Sequence, residues 1–437
     1  MKMTSSSSSF SSKNTPNMFK SSKQSEKELL FFCSLFITGA IIILCPSFYS
    51  NTSFSTVKES FNKTLLDMIQ KHPSNGGYKE DCDYSKGKWV WDTERNIYNS
   101  SEWICPTRPT GYNCEMNGKN LEYLNWRWKP DGCELPKFEP YSFLNIIRGK
   151  TLAFVGDSLS LNQLNSLLCL VSQVEKPIEI LDEMIEGKFF TWSFPLHETK
   201  LNFLWSRFLV EAKQIVEKGE PIDVYEVQLD KINTMFANLL SKFHYLVVSS
   251  GNWWFSKKIY LYEGGKLIGC INCKDEKRLT KHETKFGLQK AFRTVFQYIS
   301  KCEECKELIT LLRTYSPSHF EKGSWFDGGY CRRSHPLVNE ENAKQKLRSQ
   351  WKTCEEFREV QLEELGRVRR NEEGGRKRYG VVDVSRASML RVDAHPGFYY
   401  SDLVRRNVTD CLHWCMPGPP DMWNEILLEI LKKDSLH

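Results

Sequence analysis

Ser158 stands in FVGDSLSLNQ, residues 154–163, where the apolar run 151–155 stops at Gly156-Asp157-Ser158 and a helical pattern begins. A serine or aspartate at that point has an ordinary use, because its side-chain oxygen can accept an unpaired N–H of the first helical turn. It has a chemical use as well. The free N–H groups and dipole of a helix N-terminus favour an oxyanion, so a serine there is placed for acyl transfer. A serine nucleophile needs a base, and the base needs an orienting group. Late in the chain, VTDCLHWCMPGPPDMWNEIL (408–427) sets Asp410 three residues before His413, between cysteines 411 and 415. On one tight turn that spacing lets the carboxylate hold one ring nitrogen while the other faces a serine. His395, two residues after Asp393, is a competing base, although Pro396-Gly397 behind it reads as a structural turn; His319 and His335 rank after it.

These residues need elements to hold them. Leu161, Leu164 and Leu168 recur at helical spacing directly after Ser158. YLVVS (245–249), LITLL (308–312) and YGVVDV (379–384) read as further strands, and Leu288, Phe292, Val295, Phe296 and Ile299 form a helical stripe. Alternating strands and helices predict an α/β fold with a mostly parallel central sheet flanked by helices. Ligands of such sheets bind beyond the carboxyl ends of the strands. Three stretches fall there: 156–158, SSGNWW (249–254) and SPSHF (316–320).

The rest of the chain sets the compartment. Residues 1–28 are polar and Ser-rich, with lysines at 2, 13, 20, 23 and 27; residues 29–49 are apolar and uncharged, long enough for a membrane helix. The positive-inside rule puts the tail in the cytosol and everything after residue 49 in a lumen. Residues 50–80 read as a stem, 81–147 as a loop-rich Cys/Trp module with four cysteines and five tryptophans, and 148–437 as the catalytic domain. Thirteen of the fifteen cysteines follow the apolar run, which suits disulfides in an oxidising lumen. Being odd in number, they leave at least one thiol unpaired or bridging chains. The C-x2-C pairs Cys270/Cys273 and Cys302/Cys305 also fit a structural zinc site, with disulfides favoured by the compartment. Asn51, Asn62, Asn99 and Asn407 carry the N-glycosylation triplet, Asn51 close to the membrane. A net charge of +6 over 437 residues does not point to nucleic acid, and the basic stretch 366–380, broken by Glu372, Glu373 and glycines, reads as a solvated loop.

Taken together, CDYSKGKWVWD, NWRWKPDGCELPKF, FVGDSLSLNQLNSLLC, GSWFDGGYC and DCLHWCMPGPPDMWNEIL resemble the plant trichome-birefringence-like family of polysaccharide O-acetyltransferases, of SGNH/GDSL-hydrolase type, from about Cys82 to Leu431. The resemblance implies an SGNH-like catalytic domain behind a disulfide-stapled N-terminal module, and a single-pass type II Golgi membrane protein with its catalytic part lumenal. It implies Ser158 as nucleophile, His413 as base and Asp410 as its orienting partner. The backbone N–H of Ser158, Asn252 and Asn162 become oxyanion candidates, and Trp253 and Trp254 candidates for stacking on sugar rings. It further implies the pairs Cys82–Cys133, Cys105–Cys169, Cys114–Cys415 and Cys331–Cys411.

No metal or bound cofactor is called for. An acetyl donor is required, acetyl-CoA or another lumenal carrier, with donor-supplying membrane proteins as partners beside the Golgi membrane and the wall polysaccharide. IYLYEGGKLIGCINC and GSWFDGGYCRRSHP look most like the branch acting on xyloglucan, with glucomannan or xylan as alternatives. An acetylesterase and a non-catalytic glycan-binding protein are the other readings. Two departures stand out: Leu161 where the family usually has Arg, and Ser249-Ser250-Gly251-Asn252-Trp253 where many members have an Asn-Thr-Gly-His-Trp run.

Overall fold

Strands rich in Val, Leu and Phe, with hardly a polar side chain inside them, can be satisfied only by cover on both faces. Four of them meet that condition side by side, β3 (Thr151–Gly156), β6 (Thr199–Trp205), β9 (Tyr245–Ser249) and β12 (Ile309–Arg313), and the half-exposed β13 (Arg378–Val382) joins them at one edge. They pair in parallel in the order β13-β12-β9-β3-β6, and β5 (Phe189–Phe194) and β4 (Ile178–Glu179) extend that sheet antiparallel at one edge. Every residue of β9 and β12 is buried. The α/β domain with a mostly parallel sheet is therefore as the sequence predicts. The computed structural model describes residues 82–435, apart from 95–104, 106–108, 182–186, 325–326, 372–377 and 402–408. The expected tail, membrane segment and stem (1–80) and the acceptors Asn62, Asn99 and Asn407 lie outside these residues. Among the described residues no helix is long and apolar enough to cross a membrane.

The helix α1 (Ser158–Val171) follows β3 and is buried along almost its whole length. Its outer side is covered by the C-terminal helix, here α4 (Pro419–Ser435), through a polar seam. Ser166 donates to Asp421 at 2.5 Å, and the Asn424 amide donates to the Gln163 carbonyl at 3.1 Å and to Ser166 Oγ at 3.0 Å. Satisfied polar groups of this kind fix one register where an apolar seam would allow sliding. The helical stripe 288–299 lies in α2 (Thr284–Lys301), whose apolar face is buried. Its neighbour α3 (Arg348–Asn371) is tied to it by Arg293 and Glu364 at 2.7 Å. The end of α3 takes in residues 366–371, and 378–380 begin β13, so the stretch read as a solvated loop is largely regular structure. The reason is local: Leu365 and Val368 are buried and carry the helix past the charges.

A second sheet has no counterpart among the strands expected from the sequence. Strands β7 (Val210–Glu217), β8 (Glu220–Ile232), β10 (Lys258–Glu263) and β11 (Lys266–Ile271) form it in the order β11-β10-β8-β7. The Cys/Trp-rich stretch contributes β1 (Gly87–Trp91) and β2 (Trp126–Pro130), an antiparallel pair that sets Trp89 opposite Trp128 and Trp91 opposite Trp126. Trp89 and Trp128 belong to the same apolar cluster as β3 and β9.

The pairs Cys82–Cys133, Cys105–Cys169, Cys114–Cys415 and Cys331–Cys411 are all bonded. So are Cys270–Cys273 and Cys302–Cys305, in place of the zinc alternative. Cys354 alone is a free thiol among the described residues; it is buried, and burial pushes its pKa up.

Candidate active site

Gly156 ends β3 opposite Ser249, the end of β9. A Cβ at Gly156 would lie 2.0 Å from the Ser249 carbonyl oxygen, so only glycine lets the two strand ends close up. Gly156→Ala is therefore expected to lower stability by about 1–3 kcal/mol or more through overpacking, read as a lower Tm of the protein.

The next residue settles the double reading of Gly-Asp-Ser. Asp157 is the cap: its carboxylate accepts from the Leu159 N–H at 3.1 Å. Ser158, at the first position of α1, keeps its hydroxyl for another partner. That partner is His413, whose Nε2 lies 2.7 Å from Ser158 Oγ across 255 positions of sequence. On its other side, His413 Nδ1 donates to Asp410 Oδ2 at 2.7 Å. This fixes the tautomer: Nδ1 carries the proton, and Nε2 accepts from the serine hydroxyl. Asp410 Oδ1 also accepts the backbone N–H groups of Leu412 and His413, both at 2.9 Å, so the Asp-x-x-His turn is closed upon its own carboxylate. Burial raises the Asp410 pKa, but the His413 charge and these hydrogen bonds outweigh it and bring it to about 2. Burial likewise lowers that of His413, and the Asp410 carboxylate reverses the sign, leaving it raised.

The turn is braced from every side. Cys331–Cys411 and Cys114–Cys415 staple its two flanks. Gly397 and Asp410 exchange backbone hydrogen bonds at 2.7 and 3.1 Å. Tyr112 lays its ring 5.0 Å from that of His413. The amide of Asn162, one turn along α1 from Ser158, accepts from the Trp414 N–H at 2.8 Å and donates to the Trp414 carbonyl at 3.3 Å. Asn162, an oxyanion candidate from sequence, is thus engaged at both ends with the histidine turn, locking α1 to it. Asn162→Ala is expected to lower kcat about 10²-fold, the scale of a roughly 1 Å misplacement, with folding retained by circular dichroism.

The other histidines are placed differently. Asp393 is held in a buried pair with Arg391 at 2.9 Å, so it does not orient His395. His395 Nδ1 donates instead to the carbonyl of His413 at 2.7 Å, and its ring stacks on Trp414 at 4.0 Å. His319 sits behind it, 2.7 Å away. Burial holds both below the usual imidazole range, His319 at about 3. They support the turn and are not the base facing Ser158. His335 is exposed against Ser334.

All three stretches expected at strand ends converge. Asn252 donates from its amide to the Ser316 carbonyl at 3.2 Å and accepts from the Tyr315 hydroxyl at 3.3 Å, leaving one amide N–H uncommitted to these partners. The Trp414 ring N–H donates to Ser316 Oγ at 3.1 Å. Trp253 is half-buried, with the Arg207 guanidinium 4.6 Å from its ring and Trp205 edge-on at 6.2 Å. Trp254, expected as a sugar platform, is fully buried against Gly287 and belongs to the core. Its bulk faces inward because Asn252–Phe255 form a turn of 3-10 helix, which points successive rings to different sides. Leu161 is half-buried and packs on the core. One contributor was missed from sequence. Arg313, fully interior at the end of β12, donates to Ser249 Oγ at 2.7 Å, and its charge acts on Asp157. The signal available was an arginine closing an otherwise apolar strand.

A parallel α/β sheet carrying Gly-Asp-Ser at the end of its central strand, with the histidine of an Asp-x-x-His turn on that serine, defines the class of SGNH-type serine acyl hydrolases and acyltransferases. Residues 135–430 match PC-Esterase, the GDSL/SGNH-like acyl-esterase family found in Pmr5 and Cas1p, and residues 80–134 match the PMR5 N-terminal domain. The chain belongs to this family. It is 41% identical over 382 residues to xyloglucan O-acetyltransferase 4 of Populus trichocarpa, covering 86% of each chain. It is 39% identical over 404 residues to xyloglucan O-acetyltransferase 3 of the same species, covering 92% of this chain and 97% of that one. It is 34% identical over 429 residues to xyloglucan O-acetyltransferase 2 of Arabidopsis thaliana, covering 96% and 99%.

Proposed function

We propose that this chain is a polysaccharide O-acetyltransferase acting on xyloglucan through an acetyl-serine. Ser158 Oγ attacks the acetyl carbonyl while His413 Nε2 takes its proton. His413 returns that proton to the departing group, and the acetyl ester is left on Ser158. A sugar hydroxyl of the acceptor then gives its proton to His413 and attacks the ester carbonyl, and Ser158 is reprotonated as the acetylated sugar leaves. The Ser158 N–H at the head of α1, helped by the remaining amide N–H of Asn252, faces the developing oxyanion; one such donor is worth about 10²–10³ in rate. Trp253, half-buried beyond β9, and Trp205, half-buried at the end of β6, form the apolar flank for the acceptor sugar.

The observation that carries this reading is the continuous relay Asp410–His413–Ser158 with both links at 2.7 Å. The substrate follows the names of the relatives. Six disulfides among the described residues favour an oxidising lumen, and the apolar segment 29–49 supplies a type II anchor in the Golgi membrane. Asn62, Asn99 and Asn407 would carry glycans there. The test is labelled acetyl-CoA supplied with xyloglucan, glucomannan and xylan oligosaccharides. Label on xyloglucan supports the reading, label on another polymer moves the acceptor, and free acetate alone makes the protein an esterase.

A further inference from the structure

Behind the catalytic turn lies a cavity of about 400 Å³ whose wall includes Cys331 and Gly397, the residues bonded to Cys411 and Asp410. Three cations line it: Lys119, Arg332 and Arg333. Of the two lining carboxylates, Asp393 is taken by Arg391, in a two-pronged pair at 2.9 and 3.0 Å, leaving Glu122 exposed at the rim. The cations are short of anions. Arg333 Nη1 is buried with no hydrogen-bond partner. The exposed Arg332 guanidinium rests on the rings of Tyr330 and Phe398 at 4.9 and 5.1 Å. Lys119 donates to the His395 carbonyl; burial brings its pKa down to about 8, against the pull of the Asp393 charge, with the Arg391 charge adding to the burial. A buried guanidinium nitrogen without an acceptor is costly, and guanidinium is the group best shaped for phosphate oxygens. Tyr399 and Phe398 stand exposed at the mouth. The neighbouring Tyr400 ring lies 5.9 Å from that of Tyr112, which in turn lies against His413.

We infer that this cavity binds the phosphate groups of the acetyl donor, so that the donor is a phosphate-bearing acyl thioester. The inference rests on the acetyltransferase reading above. A neutral glucan acceptor has no charge for three cations to meet, whereas a coenzyme A-type thioester has several. In the step this serves, the Ser158 oxygen–acetyl bond forms and the carbon–sulfur bond breaks. The serine proton passes through His413 to the leaving thiolate, which departs as a free thiol. Donor and acceptor then reach Ser158 from different sides, the cavity serving one and the Trp205–Trp253 flank the other.

The test compares Arg332→Gln, and the Arg332→Gln/Arg333→Gln pair, with the wild-type chain on two donors: acetyl-CoA, and 4-nitrophenyl acetate, which has no phosphate. The ratio of kcat/KM for the two donors is expected to shift at least tenfold against acetyl-CoA, through KM, and the acetyl-CoA KM of the wild type to rise with salt. Calorimetric titration of coenzyme A into Ser158→Ala should show affinity that Arg332→Gln weakens and that pyrophosphate competes away. An unchanged donor ratio, an equal loss on both donors, or coenzyme A affinity indifferent to Arg332→Gln each overturns the donor site. If instead no chain transfers acetyl to any glycan while coenzyme A still binds through Arg332, the acetyltransferase reading fails and the anion site stands.

Discussion

Ser158→Ala is expected to remove acetyl transfer almost completely, a fall on the order of 10⁴–10⁶ in kcat, while the protein stays folded. The size follows from what the hydroxyl does. Removing the nucleophile of a serine triad leaves only binding and oxyanion stabilisation, which retain a small residue of catalysis. The unchanged fold follows from the surroundings. The capping is done by Asp157, the hydroxyl bonds His413, and alanine is a good helix former. The check is label transfer from acetyl-CoA to a xyloglucan oligosaccharide, paired with thermal unfolding. Mass spectrometry of the wild type, quenched during turnover, is expected to find an acetyl group on the peptide containing Ser158. A Ser158→Ala protein transferring at the wild-type rate would refute the serine mechanism.

Asp410→Asn is the second large effect, about 10⁴ in kcat by the precedent of other Ser-His-Asp enzymes. The carboxylate here does three things: it holds His413 Nδ1–H, accepts two backbone N–H groups of the turn, and supplies the charge that stabilises imidazolium. Asparagine keeps the size and some of the hydrogen bonding, so the loss measures tautomer and charge. The pH profile adds a sign. His413 must be neutral to take the serine proton, so activity rises as pH passes upward through its pKa. In the wild type that pKa is raised above the ordinary imidazole value by Asp410, against the burial that lowers it. Asp410 itself stays ionised down to about pH 2 and does not limit the rise. In Asp410→Asn the burial remains and the charge is gone, so the acid limb of the residual activity moves to lower pH. A limb that stays in place would mean that Asp410 does not govern His413.

The stapling of the turn suits these demands. A disulfide stabilises by about 2–4 kcal/mol, chiefly by restricting the unfolded chain. Cys114–Cys415, whose ends are 301 positions apart in sequence, also fixes where the histidine turn sits on the N-terminal module. The same module sends Tyr112 against His413, so the Cys/Trp-rich stretch takes part in forming the site.

The amino-acid sequence by itself pointed to the parallel strands, because short apolar runs such as YLVVS and LITLL, alternating with helical patterns, suit a sheet covered on both faces. It determined the helix behind Gly-Asp-Ser through leucines at helical spacing, and it named Ser158, Asp410 and His413 through residue type and local spacing. It could not display the second sheet. In β7 and β8 charged residues alternate with single apolar ones on a half-exposed surface, a pattern that a solvated segment shares. Nor could it sort equals by type alone. Asn162 and Asn252 are both amides near a strand end, and one is bound at both ends to Trp414 while the other keeps an N–H; Trp253 and Trp254 are neighbours, and one meets solvent while the other fills the core. Those outcomes depend on which distant segment packs against each side chain. The decisive contact is of the same kind: His413 reaches Ser158 because α4 docks on α1 and two disulfides hold the intervening turn, a condition that no local stretch of the chain contains.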